Sequence, residues 1–195
     1  MTTFYIIRHG QSQANQQGIL QGAKINTALT SYGKQQALAT KAKLAGISFD
    51  KIFASPLLRA AQTAALINDN QPVTFDCRLK EYDYGSWDGM LEKDIWQQYP
   101  QFFDTHHNLL PGFEKLTNAP SFAQTKQEVG EFLTQVAKKY PTATVLVVSH
   151  GFTIKLMLDW LLDIGSLANL NEPQNAGITI FEISHNAKTL LAFNR

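Results

Sequence analysis

At 195 residues, with 44% hydrophobic and 17% charged residues, the chain can bury the core of one domain without staples. A formal net charge of +1 produces no long-range field for nucleic acid or an acidic membrane surface, so any anion site must be local. Cys77 is the only cysteine, which excludes an internal disulfide and fits a reducing cytoplasm.

Chain order opens with Met1-Thr2-Thr3, which leads into neither a basic n-region nor an unbroken apolar h-region. No apolar stretch nears the roughly 20 residues of a membrane span, so a soluble, cytoplasmic protein without a signal peptide is expected. The run Phe4-Tyr5-Ile6-Ile7 reads as a buried strand that enters Arg8-His9-Gly10 directly. A polar, glycine-punctuated loop follows to about Asn26, and Thr30 then N-caps a helix through Leu44. Lys51 to Ala54 form a short strand. Ser55 and Pro56 supply the N-cap and first position of an alanine-rich helix, which puts Arg59 in its first turn. A brief strand covers Val73 to Phe75.

Residues 81–120 lose periodicity and collect aromatics, among them Tyr82, Tyr84, Trp87, Trp96 and Phe103. They read as an insertion that roofs a site over the sheet rather than as a second domain. Helical spacing resumes from Ser121 to Tyr140, and Val145-Leu146-Val147-Val148 enters Ser149-His150-Gly151. A helix from Phe152 to Leu162 and two late strands, Gly177–Ile183 and Thr189–Phe193, complete the chain, the strands joined by a turn at His185-Asn186. This alternation predicts one α/β domain over residues 1–195. It has three layers, helices on both faces of a mostly parallel central sheet, with one antiparallel edge strand from the final hairpin.

Two apolar strands that each end in His-Gly carry the functional signal. Ligands of open α/β sheets bind at the carboxyl ends of parallel strands, so His9 and His150 should face one crevice. A neutral imidazole is a nucleophile and a protonated one a cation, and with Arg8 alongside they point to chemistry on an anion, phosphate first. Arg59 adds a bidentate guanidinium at a helix N-terminus, and Gly151 opens a second helix mouth. Metal-free phosphoryl transfer needs a nucleophile, donors for the equatorial oxygens and an acid for the leaving oxygen, and the chain can supply all three.

In order along nearly the whole chain, Arg8-His9-Gly10, Ser55-Pro56-Leu57-Leu58-Arg59-Ala60-Ala61-Gln62-Thr63-Ala64, Leu79-Lys80-Glu81 with Gly85-Ser86-Trp87-Asp88-Gly89, and Ser149-His150-Gly151 resemble the histidine phosphatase superfamily, in its phosphoglycerate mutase-like form. The resemblance implies a phosphohistidine on His9, a phosphate pocket of Arg8, Arg59, His150 and Asn15, and Glu81 as proton donor. In another branch the acid follows the second histidine, but here Gly151-Phe152-Thr153 stands there, with Asp83 as the spare carboxylate. The loop departs from the commoner pattern: Gln11-Ser12-Gln13-Ala14-Asn15 stands where Glu-Thr is frequent, and Asn26 where an acidic residue is common. Ser12 can still donate a hydroxyl. Gln21 and Gly22 either touch the substrate or form plain loop, and Asn26 reads as a turn residue.

The expected activity is a metal- and cofactor-independent phosphatase acting on a small phosphomonoester, with no nucleic-acid or membrane partner and with a homo-oligomer left open. Two alternatives remain. A phosphoglycerate mutase would need extra cations for a substrate carboxylate, yet no arginine lies between Arg78 and Arg195, and Glu92 falls where similar mutases carry a lysine, with Lys93 adjoining; Tyr84 does match a mutase substrate residue. A non-catalytic phosphate-binding regulatory module is the second. His106-His107 has no Cys or acidic ligand at a suitable close spacing and reads as loop or site roof, His185 as a turn residue, and Trp87 as either packing or pocket lining.

Overall fold

A computed structural model describes residues 1–195. Its strands are β1 (Thr2–Arg8), β2 (Lys51–Ala54), β3 (Val73–Phe75), β4 (Thr144–Ser149), β5 (Ile178–Ile183) and β6 (Lys188–Ala192); its helices are α1 (Gln13–Gln17), α2 (Ser31–Lys43), α3 (Leu58–Ile67), α4 (Glu92–Gln98), α5 (Glu114–Thr117), α6 (Phe122–Lys139) and α7 (Gly151–Leu162). The sheet order is β3-β2-β4-β1-β5-β6. The first four strands pair in parallel, β5 runs antiparallel to β1, and β6 antiparallel to β5, so the late hairpin makes the antiparallel edge.

Strand periodicity builds the layers. Phe4 and Ile6 of β1, with Val145 and Val147 of β4, enter one core beside Phe132 of α6 and Leu156 of α7. Their neighbours Ile7, Leu146 and Val148 enter a second core beside Ala37 of α2 and Ala60 and Ala64 of α3. Both faces of the central strands are therefore dry, which is why they read as unbroken apolar runs. No helix is long and apolar enough to cross a membrane.

Two local expectations are corrected. The loop after β1 contains α1, capped reciprocally by Ser12 and Asn15, a five-residue helix too short to leave a periodic signal. Helix α3 starts at Leu58, with Leu57 as N-cap, rather than at Pro56. The Ser55 hydroxyl is occupied by the Leu57 amide at 3.2 Å and by His150 at 2.7 Å, so the cap of Leu58 N–H comes instead from Asn26 Oδ1, at 2.6 Å. Gly10 is required sterically: a Cβ there would lie 2.2 Å from the Gly33 carbonyl oxygen of α2. That close passage packs the chain after His9 directly against α2.

Candidate active site

Parallel register brings the two histidines together. Arg8 of β1 pairs with Ser149 of β4, and the His9 amide donates to the Ser149 carbonyl at 3.0 Å. The next residues, His9 and His150, leave the carboxyl ends of adjacent strands with ring centres 5.1 Å apart. Arg59, fully buried, reaches them from the first turn of α3. Its Nε lies 3.3 Å from His9 Nε2 and 3.1 Å from His150 Nδ1, while its Nη groups donate to the carbonyls of Ile25, Gln21 and Gly22 at 2.8, 3.3 and 3.1 Å. The guanidinium takes part in none of the molecule's ion pairs. Burial pushes it down to about 10, the signature of a cation held without its anion.

Hydrogen bonds fix the imidazoles. His9 Nδ1 lies 2.7 Å from the Gly10 carbonyl, which can only accept, so Nδ1 carries the proton and the Nε2 lone pair faces Arg59. His150 Nδ1 accepts from Arg59, leaving Nε2–H to donate to Ser55 Oγ. Burial, followed by the charge of Arg59, holds both histidines well below the usual imidazole range. Both are neutral at pH 7.

Glu81 is nearly buried (7% exposed) against the N-terminus of α7. Its Oε1 accepts from the Tyr82 and Thr153 amides and the Thr153 hydroxyl at 2.9, 3.0 and 2.9 Å, whereas Oε2 meets only the Phe152 amide at 3.3 Å. Burial first, then the nearby charge of Glu172, raise its pKa above the usual carboxylate range, against the opposing pull of the Tyr82 amide, Arg59 and Thr153. Oε1 is the crowded oxygen, so Oε2 is the one with room for a proton. Arg8 donates through Nη1 to the Pro173 carbonyl at 2.6 Å and pairs with Glu172 at 3.2 Å, while its buried Nε has no partner. Asn15 uses its Oδ1 on the Ser12 amide at 3.2 Å, which leaves its amide N–H groups free.

Other expected contacts are spent within the protein. The Ser12 hydroxyl donates to Gln21 Oε1 at 2.5 Å and accepts from the Asn15 amide, contacts that position Asn15. Gln21 closes its side chain on Ser12 and on Thr27, at 2.7 Å, and Gly22 donates its amide to Asp88 at 2.7 Å. Both serve through the carbonyls that hold Arg59. The spare carboxylate, Asp83, is tied to the Gly85 amide at 2.8 Å and to Lys24 at 3.1 Å.

Adjoining the Arg8–Glu172 pair, a cavity of about 250 Å³ is lined by Tyr84, Trp87, Glu92, Lys155 and Glu172, among others. Trp87 also stacks on Phe113, so it packs and lines at once. His107 lies on the cavity wall against Trp96, ring centres 4.3 Å apart, and His106 is exposed. A Cβ on Gly151 would fall 2.0 Å from Glu172 Oε2 and 3.0 Å from Arg8 Cζ, so glycine leaves the space in which that pair meets. Glu172, Lys155 and Ser55 did not emerge as site residues from the sequence. Glu172 lies in an irregular loop without pattern, whereas Lys155 had a visible signal, a charge inside the apolar run Ile154-Lys155-Leu156-Met157-Leu158.

Comparison with known proteins agrees with this geometry. Phosphoserine phosphatase 1 of Hydrogenobacter thermophilus is 32% identical over 171 residues, 84% of this chain and 78% of that protein. The adenosylcobalamin/alpha-ribazole phosphatase of Escherichia coli is 32% identical over 164 residues, 81% of this chain and 78% of that protein. The structure of phosphoserine phosphatase from Entamoeba histolytica in complex with 3-phosphoglyceric acid superposes with a TM-score of 0.82 at 28% identity, covering 100% of this chain and 98% of that one. With residues 4–195 matching the family as a whole, the chain is a phosphoric monoester hydrolase and belongs to the histidine phosphatase superfamily, branch 1.

Proposed function

We propose that the chain hydrolyses small phosphomonoesters in two steps through a phosphohistidine on His9. The observation that carries this reading is the buried Arg59 guanidinium, in no ion pair and set between two neutral imidazoles, one of which turns its Nε2 lone pair toward it. A phosphate dianion supplies the charge that Arg59 lacks, Arg8 and Asn15 add donors around it, and His150, bonded to both Ser55 and Arg59, holds the guanidinium in place. His9 Nε2 attacks phosphorus as the bond to the leaving oxygen breaks, and that oxygen takes the proton from Glu81 Oε2. Water then attacks the phosphohistidine and gives its proton to the Glu81 carboxylate, releasing phosphate and restoring both groups. A carboxyl whose proton is retained by burial suits the first half, and its newly ionised form suits the second.

Residues 81–120 act as the roof of this single domain, excluding bulk water from the leaving group. The cavity they line holds two carboxylates, Glu92 and Glu172, against one ammonium, Lys155. That balance repels the doubly phosphorylated intermediate a mutase must retain, which favours water as acceptor. Rapid-quench labelling with radiolabelled phenyl phosphate tests the reading. An acid-labile, alkali-stable phosphoenzyme should form in the native protein and be absent from His9→Ala; labelling that persists in the variant overturns His9 as acceptor.

A further inference from the structure

Beyond the Arg8–Glu172 pair lie charges that the two-step reaction leaves unused. Lys155 is only 2% exposed, yet its Nζ has one hydrogen-bond partner, Asn108 Oδ1 at 3.2 Å, and otherwise sits 5.6 Å from the centre of the Phe152 ring. An ammonium has three donors, so two remain at the cavity wall. Glu92, on α4, lines the same cavity. Neither residue appears in any ion pair of the molecule. Burial lowers the pKa of Lys155, and burial followed by Glu172 raises that of Glu92. An unpaired charge at a half-dry wall costs stability that an apolar side chain of equal size would not. Two such charges of opposite sign, sharing a small cavity without pairing, indicate a ligand that satisfies both.

We infer that this cavity receives the leaving alcohol and selects one that carries both a carboxylate, bound by Lys155, and an ammonium, bound by Glu92. The inference rests on the phosphohistidine reading, which puts the scissile oxygen beside the cavity. The substrate class is then a compact, zwitterionic phosphomonoester of the amino-acid type. At about 250 Å³ the space is below the roughly 300–1,000 Å³ of drug-sized sites, which suits a compact leaving alcohol. Glu172 divides the two halves of the site: its carboxylate pairs with Arg8 on the phosphate side and also faces the cavity.

Four phosphate esters separate the two charges. O-phosphoserine has both groups, 3-phosphoglycerate only the carboxylate, phosphoethanolamine only the ammonium, and glycerol 1-phosphate neither. The native enzyme should have its highest kcat/KM for O-phosphoserine. Lys155→Met should lower kcat/KM for O-phosphoserine and 3-phosphoglycerate by about ten- to a hundredfold more than for the other two, the range for a hydrogen bond to a charged group. Glu92→Gln should do the same to O-phosphoserine and phosphoethanolamine, and Lys155→Arg should recover part of the lost preference. Phenyl phosphate, which has neither charge, reports the core reaction in every variant and so controls for folding. Proportional losses on all four esters, or native preference for glycerol 1-phosphate, would overturn the subsite while leaving the phosphatase standing. Phenyl phosphate hydrolysis that survives His9→Ala would instead remove the reading beneath it.

Discussion

Replacing Glu81 with glutamine separates a proton donor from a packing residue. The substituted carbonyl can keep the three donors now at Oε1, whereas the new NH₂ group faces the Phe152 amide across 3.3 Å and loses that long hydrogen bond. The expected stability cost is about 1 kcal/mol, roughly 2–4 °C in Tm for a chain of this size, so the fold survives. The chemistry does not: a positioned general acid contributes about 10²–10⁴-fold, and an alkyl leaving group needs all of it. A p-nitrophenolate departs with little help. Quench-flow with glycerol phosphate and p-nitrophenyl phosphate should therefore show phosphoenzyme formation lost by about 10²–10⁴-fold on the alkyl ester and by less than about tenfold on the aryl ester. Because Glu81 also takes the proton of the attacking water, the aryl ester should give a burst and then slow turnover. Equal losses on both esters without a burst would refute the assignment, and Asp83→Asn would then be the variant to measure.

Arg59→Lys keeps the charge but gives up the fork that spans two imidazoles and three carbonyls. Two charge-assisted hydrogen bonds to the phosphate, at about 1.5 kcal/mol or more each, go with it, so kcat/KM should fall at least about a hundredfold; a fall of less than about tenfold would remove Arg59 from the reacting phosphate. Exhaustive chelation should leave p-nitrophenyl phosphate turnover unchanged, since guanidinium and imidazole groups stand where many phosphoryl-transfer enzymes use Mg²⁺, and inhibition reversed by added Mg²⁺ would refute this. The lowered pKa values of His9 and His150 predict a pH effect on stability. Below about 6.5 the unfolded chain binds protons that the native imidazoles refuse, so stability falls as pH falls, by up to about 1.4 kcal/mol per unit for each. Glu81, raised in the native state, acts in the opposite sense, stability falling as pH rises above its unfolded value. Urea denaturation between about pH 5.5 and 6.5 should show a shallower dependence of stability on pH in His150→Asn; identical slopes would refute the claim.

What can be read from the sequence is what regular structure carries. Arg8, His9 and His150 stand at the ends of apolar strands, and Arg59 follows a helix start, so their convergence follows from parallel topology. The start of α3 escapes a local reading because Ser55-Pro56 has the form of a cap, while its hydroxyl is claimed by His150, a partner 95 residues away. Ser12 and Gln21 read as available for substrate because nothing local shows that they bond to each other. Glu172 stays hidden because its place beside Arg8 is set by an irregular loop, which has no period to read. Lys155 shows the opposite failure: a helix that is apolar all round reads as core, and the charge inside it passes as an exception.

The pairing of Arg8 with Ser149 also bears on which changes this molecule can tolerate. The distance between nucleophile and second histidine is held by the hydrogen-bond lattice of two central strands, and no loop length enters into it. A one-residue insertion within β1 or β4 would advance one histidine by about 3.3 Å and turn it to the opposite face of the sheet, ending the chemistry in one event. Insertions between α4 and α5 would leave that spacing untouched while redrawing the wall around the departing alcohol. Phosphoryl transfer is thus inherited with the sheet, whereas the choice of ester can drift with the roof.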